Sequence, residues 1–283
     1  MMIPFTKMHG LGNDFMMIDG VTHPVTLSPQ QIQTWSQRRT GIGFDQCLLL
    51  EKSAIPDIDF MYRIFNADGQ EVGQCGNGAR CLALFIQRQG LSAKKELRVK
   101  TSTSTLHLSI HEDQTVTVNF GIPDLLPAHI PTTARDQKIW YQITINQEPY
   151  QFHSIQIGNP HAVLVVDDLQ HTDVATIGQA ISTHSFFPEQ ANVGFLQIVA
   201  PEKIALRVFE RGCGETQACG SGAVAAAALG ILYHELADNV TVTLPGGELH
   251  VSWPDKKGVI YLRGPATFVY DGKVEEGTCE SLS

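Results

Sequence analysis

The feature of this chain that most constrains its fold is an internal repeat. Cys75 and Cys219 each open the pattern Cys-Gly-x-Gly-Ala, which reads CGNGARCLALFIQ in the first copy and CGSGAVAAAALGI in the second. An Arg-x-Phe triplet begins twelve residues before each cysteine, and a glutamate stands four residues before each. Because several residue types share one spacing, accidental recurrence of Gly-rich turns is the weaker explanation. We therefore predict two halves with similar folds.

Segments upstream of the cysteines extend the repeat in the same order. GNDFMMID at 12–19 matches GNPHAVLVVD at 158–167, and GFDQ at 43–46 matches GFLQ at 194–197. Duplicated halves that each supply a similar loop predict two pseudo-symmetric domains with the active site at their interface, a common place for small-molecule pockets. We place the N-terminal domain at residues 1–120 and the C-terminal domain at 121–264. We expect the tail, 265–283, to return to the first domain.

The segments between these motifs predict an α+β fold. Short runs that alternate or are rich in β-branched residues, such as VTVTLPGG and ELHVSW, are bounded by Gly, Pro, Asn and Asp and predict strands. Helices are predicted for SPQQIQTWSQRR, for DVATIGQAISTHS and after each repeated cysteine, with Ser and Asp as N-caps. We expect each domain to be a β-sheet or barrel wrapped around a central helix.

Composition and charge argue against several classes of function. The chain has 283 residues, a net charge of −9 and no basic cluster, which disfavours a nucleic-acid partner. The N-terminal segment MMIPFTKMHG lacks the apolar run of a signal peptide or a membrane span. We therefore expect a cytoplasmic protein without a membrane partner, in which the six cysteines are free thiols.

The two repeated cysteines are the candidate catalytic groups. A cysteine reacts as its thiolate, and a helix N-terminus is expected to lower the pKa of its thiol. The glycines after each cysteine leave backbone N–H groups accessible to an anion such as a substrate carboxylate. Two such thiols on opposite faces of an amino-acid α-carbon could invert it, because one would remove the proton while the other delivers one. No lysine is marked for a Schiff base and no metal-ligand spacing is evident, so we expect neither cofactor nor metal.

The remaining cysteines carry no chemical prediction of this kind. Cys47 and Cys81 lie in apolar runs, and we expect them to be inert buried thiols. Cys279 is interpreted as a thiol of the tail, and Cys213 has no assigned role. A zinc site is disfavoured, since the spacing of five residues in C-x5-C differs from that of structural zinc sites.

Eight motifs together resemble the diaminopimelate epimerase family over nearly the whole chain. They are KMHGLGNDF, GFDQ, FNADG, QCGNGARC, GNPH, ANVGF, ERGCGETQACGSGA and LPGG. The resemblance implies a homodimer that interconverts LL- and meso-diaminopimelate without a cofactor, in lysine and peptidoglycan precursor biosynthesis. It also implies that Cys75 and Cys219 are the acid/base pair and that His161 and Glu210 tune their pKa values.

The same resemblance implies a set of substrate contacts. The neutral side-chain amides would hydrogen-bond the substrate in one orientation. Arg211 could pair with a distal carboxylate, and Glu210 could accept from an ammonium group. The backbone of four residues after the cysteines would hold the reacting carboxylate. The implied substrate-binding residues are Asn13, Gln46, Asn66, Gly76, Asn77, Asn159, Asn192, Glu210, Arg211, Gly220 and Ser221.

Two alternative functions stay open from the sequence. One is an isomerase with the same duplicated fold that acts on proline or hydroxyproline. The other is a non-catalytic, redox-sensing protein whose paired cysteines form a switch. Taken singly, the site residues have ordinary structural explanations, because an Asn beside a Gly commonly forms a turn.

Overall fold

The structure is a computed structural model that describes residues 2–73 and 76–276. The chain divides into two units, one comprising Met1–Val118 with Pro265–Ser283 and the other comprising Asn119–Gly264. In the part of the chain that is described, no helix is long and apolar enough to span a membrane.

The two units contain the same order of helices and strands, which starts at the first strand of the first unit and at the second strand of the second unit. The first unit contains β1 (Met2–Gly10), β2 (Asn13–Asp19), α1 (Pro29–Ser36), β3 (Gln46–Lys52), β4 (Phe60–Asn66), β5 (Glu71–Val72), α2 (Gly76–Arg88), β6 (Glu96–Lys100), β7 (Thr105–Ile110) and β8 (Val116–Asn119). The second contains β9 (Tyr141–Ile145), β10 (Glu148–Gln156), β11 (Pro160–Val165), α3 (Val174–Ser182), β12 (Asn192–Ala200), β13 (Lys203–Glu210), β14 (Gly214–Thr216), α4 (Gly220–Tyr233), β15 (Asn239–Leu244), β16 (Gly247–Ser252) and β17 (Tyr261–Gly264). The last strand, β18 (Thr267–Glu275), belongs to the first unit.

Strand pairing repeats between the units. In the first, β1 pairs antiparallel with β2, β2 parallel with β3, β3 antiparallel with β4, and β4 antiparallel with β5 and parallel with β6. In the second, β10 to β15 pair in the same sequence of antiparallel and parallel contacts. An additional antiparallel strand lies beside the first strand of each set, β18 beside β1 and β9 beside β10. The sequence repeat is therefore a repeat of fold, and the predicted α+β class is confirmed.

Each unit buries one helix among its strands. In α4 the residues from Ala223 to Leu229 are all fully buried, and the helix contacts β10 to β13 and β15 to β17. A helix that is apolar on every side must be surrounded by other elements, and its Ala and Gly residues allow the strands to approach closely. The corresponding helix α2 contacts β1, β2, β3 and β7. It carries one charged residue with no exposed surface, Arg80, whose Nε donates to the Pro265 carbonyl at 3.1 Å.

The arginine and glutamate of the sequence repeat form equivalent ion pairs. Arg63 on β4 and Glu71 on β5 lie 2.7 Å apart, and Arg207 on β13 and Glu215 on β14 lie 2.6 Å apart. In both units the pair joins a long strand to a very short one that leads into the cysteine motif. Because all four side chains are partly exposed, we expect the pairs to align these segments rather than to contribute much stability.

The two outer helices begin where the sequence predicts. Ser28 caps α1 in a capping box, since its Oγ accepts from the Gln31 N–H and its own N–H donates to the Gln31 side chain. Asp173 caps α3, with its Oδ1 accepting from the Thr176 N–H at 3.1 Å. Both N-cap predictions are confirmed.

A pair of histidines lies at the C-terminal end of α4. The buried ring of His153 bonds to the Ile139 carbonyl through Nδ1 at 2.6 Å, so in its neutral form Nε2 is the acceptor. His234 then donates to that nitrogen at 2.8 Å, and Trp140 stacks on the His153 ring with 3.7 Å between centroids. Burial lowers the pKa of His153 from 6.5 to about 4 and also lowers the pKa of His234.

This pair should make the protein sensitive to acid. A histidine whose pKa is lower in the folded state binds fewer protons there than in the unfolded chain, so its stabilising effect is present above pH 6.5 and is lost as the pH falls toward 4. We expect the free energy of unfolding, from urea titrations at pH 7 and pH 5, to fall more steeply in wild type than in His153→Phe. Equal pH dependence in the two proteins would contradict this account.

Candidate functional site

Cys219 is the N-cap residue of α4. Its Sγ accepts from the Gly222 N–H at 3.4 Å and lies 3.6 Å from the Ser221 hydroxyl oxygen. The residue is buried, and Gly220 forms the first position of the helix behind it. The structure thus confirms that this cysteine stands at the start of the central helix, as the motif predicts.

The predicted lowering of the Cys219 pKa by the helix N-terminus is present but is outweighed by other effects. Burial is the largest effect and raises the pKa of this thiol well above its ordinary value, and the nearby Glu210 carboxylate raises it further. The hydrogen bonds from Ser221 and the Gly222 N–H lower the pKa but do not compensate. Cys219 is therefore a protonated thiol at neutral pH in this structure.

Glu210 is held beside Cys219 by a residue that the sequence did not single out. The Thr216 hydroxyl donates to Glu210 Oε1 at 2.6 Å. Glu210 ends β13 and Thr216 ends β14, and these strands pair antiparallel. The turn between the strands thereby positions a carboxylate that favours the S–H form of the sulfur.

The first cysteine of the repeat, Cys75, lies outside the described residues. The description resumes at Gly76, the first residue of α2, and continues with Asn77, whose side chain is buried. The described part of the site therefore consists of the residues after Cys75 and the whole of the second motif.

Four side-chain amides of the first unit are linked in pairs. Asn77 donates to Asn13 Oδ1 at 3.3 Å, and Gln46 donates to Asn66 Oδ1 at 2.9 Å. Gln46 and Asn66 are also directly opposite each other in the β3–β4 pairing. Within residues 2–73 and 76–276, the buried Gln46 Oε1 atom has no hydrogen-bond partner. A buried acceptor in this situation is suited to a ligand donor.

The candidate residues of the second unit form another group. His161 donates through Nε2 to Asn159 Oδ1 at 3.0 Å, and Asn192 Oδ1 accepts from the Arg211 N–H at 3.0 Å. His161 and Asn192 are direct neighbours in the parallel β11–β12 pairing. Burial, with a smaller contribution from Arg211, lowers the pKa of His161 to about 3. The imidazole is therefore neutral and can act on a neighbour only through hydrogen bonding.

Among the described residues, the other cysteines and the possible metal ligands form no second reactive centre and no metal site. Cys47 and Cys81 are buried, and burial raises the pKa of the Cys47 thiol, as expected of inert core residues. Cys213 is exposed, and Cys279 lies outside the described residues. Among the residues that the structure describes, no three His, Cys, Asp or Glu side chains are grouped as metal ligands.

Charged residues around Asn13 are what sequence reasoning missed at this site. Asp14 and Asp45 adjoin the Asn13 and Gln46 positions, and Arg38 and Lys7 pair with them. Both aspartates stand in motifs that the sequence analysis quoted, GNDF and GFDQ. The second copy has Pro160 and Leu196 at the matching positions, so the repeat did not draw attention to the aspartates, and their pairing depends on the fold.

The comparisons with known proteins agree with this architecture. The family model described as diaminopimelate epimerase matches residues 5–126 and 153–269. The diaminopimelate epimerase of Legionella pneumophila (strain Paris) is 58% identical over 271 residues, covering 95% of this chain and 98% of that relative. These matches define the protein as an isomerase of the epimerase class. More narrowly, the chain belongs to the diaminopimelate epimerase family.

More distant solved structures share the fold. A probable proline racemase from Agrobacterium radiobacter K84 has 15% identity and a TM-score of 0.71, covering 99% of this chain and 94% of its own. A hydroxyproline epimerase from Agrobacterium vitis has 14% identity and a TM-score of 0.69, covering 96% of this chain and 92% of its own. At these identities the likeness concerns the fold alone.

The raised pKa of Cys219 leads to a prediction for Glu210→Gln. Removing the carboxylate should lower the pKa of the thiol, because an adjacent anion disfavours the thiolate. Alkylation of Cys219 by iodoacetamide, followed by mass spectrometry in a Cys213→Ser background, should then begin at lower pH. Glu215→Gln is the matched control, since Glu215 pairs with Arg207 and is not among the causes of the Cys219 shift. An unchanged pH dependence in Glu210→Gln would contradict the assignment.

Proposed function

We propose that this protein interconverts LL-2,6-diaminopimelate and meso-2,6-diaminopimelate by proton transfer between the α-carbon and two thiols, without a cofactor. The observation that carries the proposal is Cys219 at the N-cap of a buried helix, in a chain whose other half repeats the same motif at Cys75. Membership of the diaminopimelate epimerase family supports the substrate.

In the proposed reaction the sulfurs act from opposite faces of one carbon. The Cys75 thiolate removes the α-proton, and the Cys219 thiol delivers its proton to the other face of the resulting carbanion. Turnover leaves Cys75 protonated and Cys219 as thiolate, so the reverse reaction uses the same groups with their roles exchanged. The enzyme returns to its starting state by moving one proton between the sulfurs through solvent or another substrate.

Differences between the two copies of the repeat support a resting state in which Cys75 is the thiolate and Cys219 is the protonated thiol. Glu210, which raises the pKa of Cys219, corresponds in the repeat to the neutral Asn66. Arg80, a buried cation on α2, corresponds to the apolar Val224 on α4. An anion near a sulfur favours the thiol and a cation favours the thiolate, and the two copies differ by a glutamate in one and an arginine in the other. We therefore infer that Cys75 is the thiolate at rest.

The carbanion needs strong stabilisation, because the α-proton of an amino acid is very weakly acidic. We propose that the reacting carboxylate, over which the charge spreads, is held by backbone N–H groups at the starts of α2 and α4, from Gly76, Asn77, Gly220 and Ser221. Those donors are fixed before the substrate binds, so they need no reorganisation as charge develops. His161 and Glu210 are proposed to adjust the sulfurs, His161 as a neutral hydrogen-bonding group.

We assign the distal end of the substrate to polar groups that have unused hydrogen-bonding capacity. In the part of the chain that is described, the Arg211 guanidinium pairs with no carboxylate and donates only to the Glu189 carbonyl at 3.1 Å. We propose that it binds the distal carboxylate and that Gln46 Oε1 accepts from an ammonium group. Asn13, Asn66, Asn159, Asn192 and Glu210 complete the proposed contacts. Proline and hydroxyproline carry no second carboxylate, so this assignment favours diaminopimelate.

The proposed setting follows from the family. We propose a homodimer that works in the cytoplasm, in lysine and peptidoglycan precursor biosynthesis, with neither a nucleic acid nor a membrane as partner. The net charge of −9 supports the exclusion of nucleic acid.

Replacing either cysteine tests the two-thiol reaction. Cys75→Ser and Cys219→Ser should each lower turnover of LL-diaminopimelate by about 10²–10⁴-fold, because a serine hydroxyl is a far poorer acid and base than a thiol. The assay is run without added cofactor and follows both stereoisomers, with deuterium incorporation from D2O into the α-carbon as a second readout. Cys81→Ser, at a buried cysteine outside the proposed site, is the control. Turnover near wild type in either of the first two variants would refute the mechanism.

Arg211→Ala tests the distal contact. We expect KM for diaminopimelate to rise by about tenfold or more, since one charge-assisted pair is lost, while the thiols remain intact. Arg135→Ala, at another exposed arginine of the same unit, serves as a control for the change of charge. An unchanged KM would remove Arg211 from the binding site without affecting the two-thiol proposal.

A further inference from the structure

Four charged residues of the first unit form a connected cluster, which we call the β2–β3 charge network: Lys7, Asp14, Arg38 and Asp45. Arg38 donates to both Asp14 oxygens at 2.9 Å and to Asp45 Oδ1 at 2.7 Å. Lys7 donates to Asp14 Oδ2 at 2.6 Å and also to the Gly43 carbonyl. Two carboxylates that would repel each other are thus neutralised by two cations.

The network joins the beginnings of two parallel strands. Asp14 follows Asn13 at the start of β2, and Asp45 immediately precedes β3. The Asp14 N–H donates to Asp45 Oδ2 at 3.1 Å, and the Asp45 N–H donates to Asp14 Oδ1 at 2.9 Å. Each aspartate therefore accepts from the backbone of the other, which fixes how the two strand ends lie side by side.

The network also determines the orientation of the Asn13 amide. Asn13 Nδ2 donates to Asp45 Oδ2 at 2.9 Å, while its Oδ1 accepts from Asn77 at 3.3 Å. Because a carboxylate can only accept, Asp45 fixes which end of the amide is nitrogen. Within residues 2–73 and 76–276, the bond to Asp45 is the one hydrogen bond that Asn13 Nδ2 donates, which leaves its second proton available. Asn13 is thus a donor with one fixed, unused N–H.

We propose that Asp45 is a positioning residue, which acts through Asn13 to present that one N–H to a carboxylate oxygen of the bound amino acid. The inference rests on the proposed function, in which Asn13 contacts the substrate, and adds the residue that sets its donor direction. Asp45 itself need not touch the substrate.

The exposure of the Arg38–Asp45 pair, in contrast to the more buried Lys7–Asp14 pair, separates the role of Asp45 from simple stabilisation. The Arg38 side chain is 60% exposed and that of Asp45 is 43% exposed, and ion pairs this accessible contribute little to stability. An asparagine at position 45 has one acceptor oxygen, whereas Asp45 uses two to accept from Arg38, Asn13 and the Asp14 N–H. Asp45→Asn should therefore disturb the Asn13 amide more than it disturbs the fold.

The test is a double-mutant cycle on KM for diaminopimelate with Asp45→Asn, Asn13→Ala and the combined variant. We expect Asp45→Asn alone to raise KM by about tenfold, as for loss of one oriented hydrogen bond to a charged group, with kcat changed less. In the Asn13→Ala background the same change should alter KM by less than about twofold, because the residue through which Asp45 acts is gone. Asp59→Asn is the matched control, since Asp59 pairs with Lys94 and accepts from the Arg98 N–H in the same unit.

Two further measurements test the role of Asp45 in other ways, one with a second variant of the network and one without substrate. Arg38→Gln removes the exposed clamp and leaves Asp45 in place, and should raise KM in the same Asn13-dependent way. The side-chain amide of Asn13, followed by NMR without substrate, should show one proton protected from exchange in wild type and in Asp59→Asn but not in Asp45→Asn. Additive effects on KM, or an unchanged Asn13 amide, would overturn the positioning role. Absence of diaminopimelate turnover in wild type would instead contradict the proposed function and leave the NMR result to decide on Asp45.

Discussion

The burial of one helix in each unit is the constraint on which the rest depends. Strands can surround α4 because its residues are small and apolar on every side. A helix enclosed in this way still has unpaired N–H groups in its first turn, which require an acceptor. At α4 the acceptor is the Cys219 sulfur, and the repeated motif puts Gly and Ala directly behind it. The position of the candidate site is therefore a consequence of packing.

Helix geometry alone does not determine the charge of that sulfur. The partial charge of a helix terminus favours a thiolate, but desolvation and the Glu210 carboxylate oppose it, and at Cys219 they outweigh it. The repeat copies the backbone while allowing the electrostatics to differ, with Glu210 matched by Asn66 and Val224 matched by Arg80. In the proposed mechanism one sulfur acts as base and the other as acid, and a difference in charged residues between the two copies suits such a division of roles.

Features set by neighbours in sequence could be predicted, and features set by distant contacts could not. The strands, the caps at Ser28 and Asp173 and the N-cap position of Cys219 depend on local pattern, and the structure confirms them. The raised pKa of Cys219 depends on burial by strands far along the chain. The β2–β3 charge network depends on the parallel pairing of two strands separated by α1. The catalytic roles of Cys75 and Cys219 and the domain limits at residues 120 and 264 stay predictions.

The abundance of fixed amides fits the demands of inversion. In the proposed mechanism both faces of the α-carbon must stay open to sulfur, so the substrate has to be held by its carboxylates and ammonium groups. An amide can present either a donor or an acceptor, and the Asp45 carboxylate, which can only accept, removes that ambiguity at Asn13. Donors fixed before binding reduce the entropy lost when the substrate is aligned. In this proposal, the partly exposed Asp45 and Arg38 serve the reaction by fixing the direction of a donor, although they add little stability.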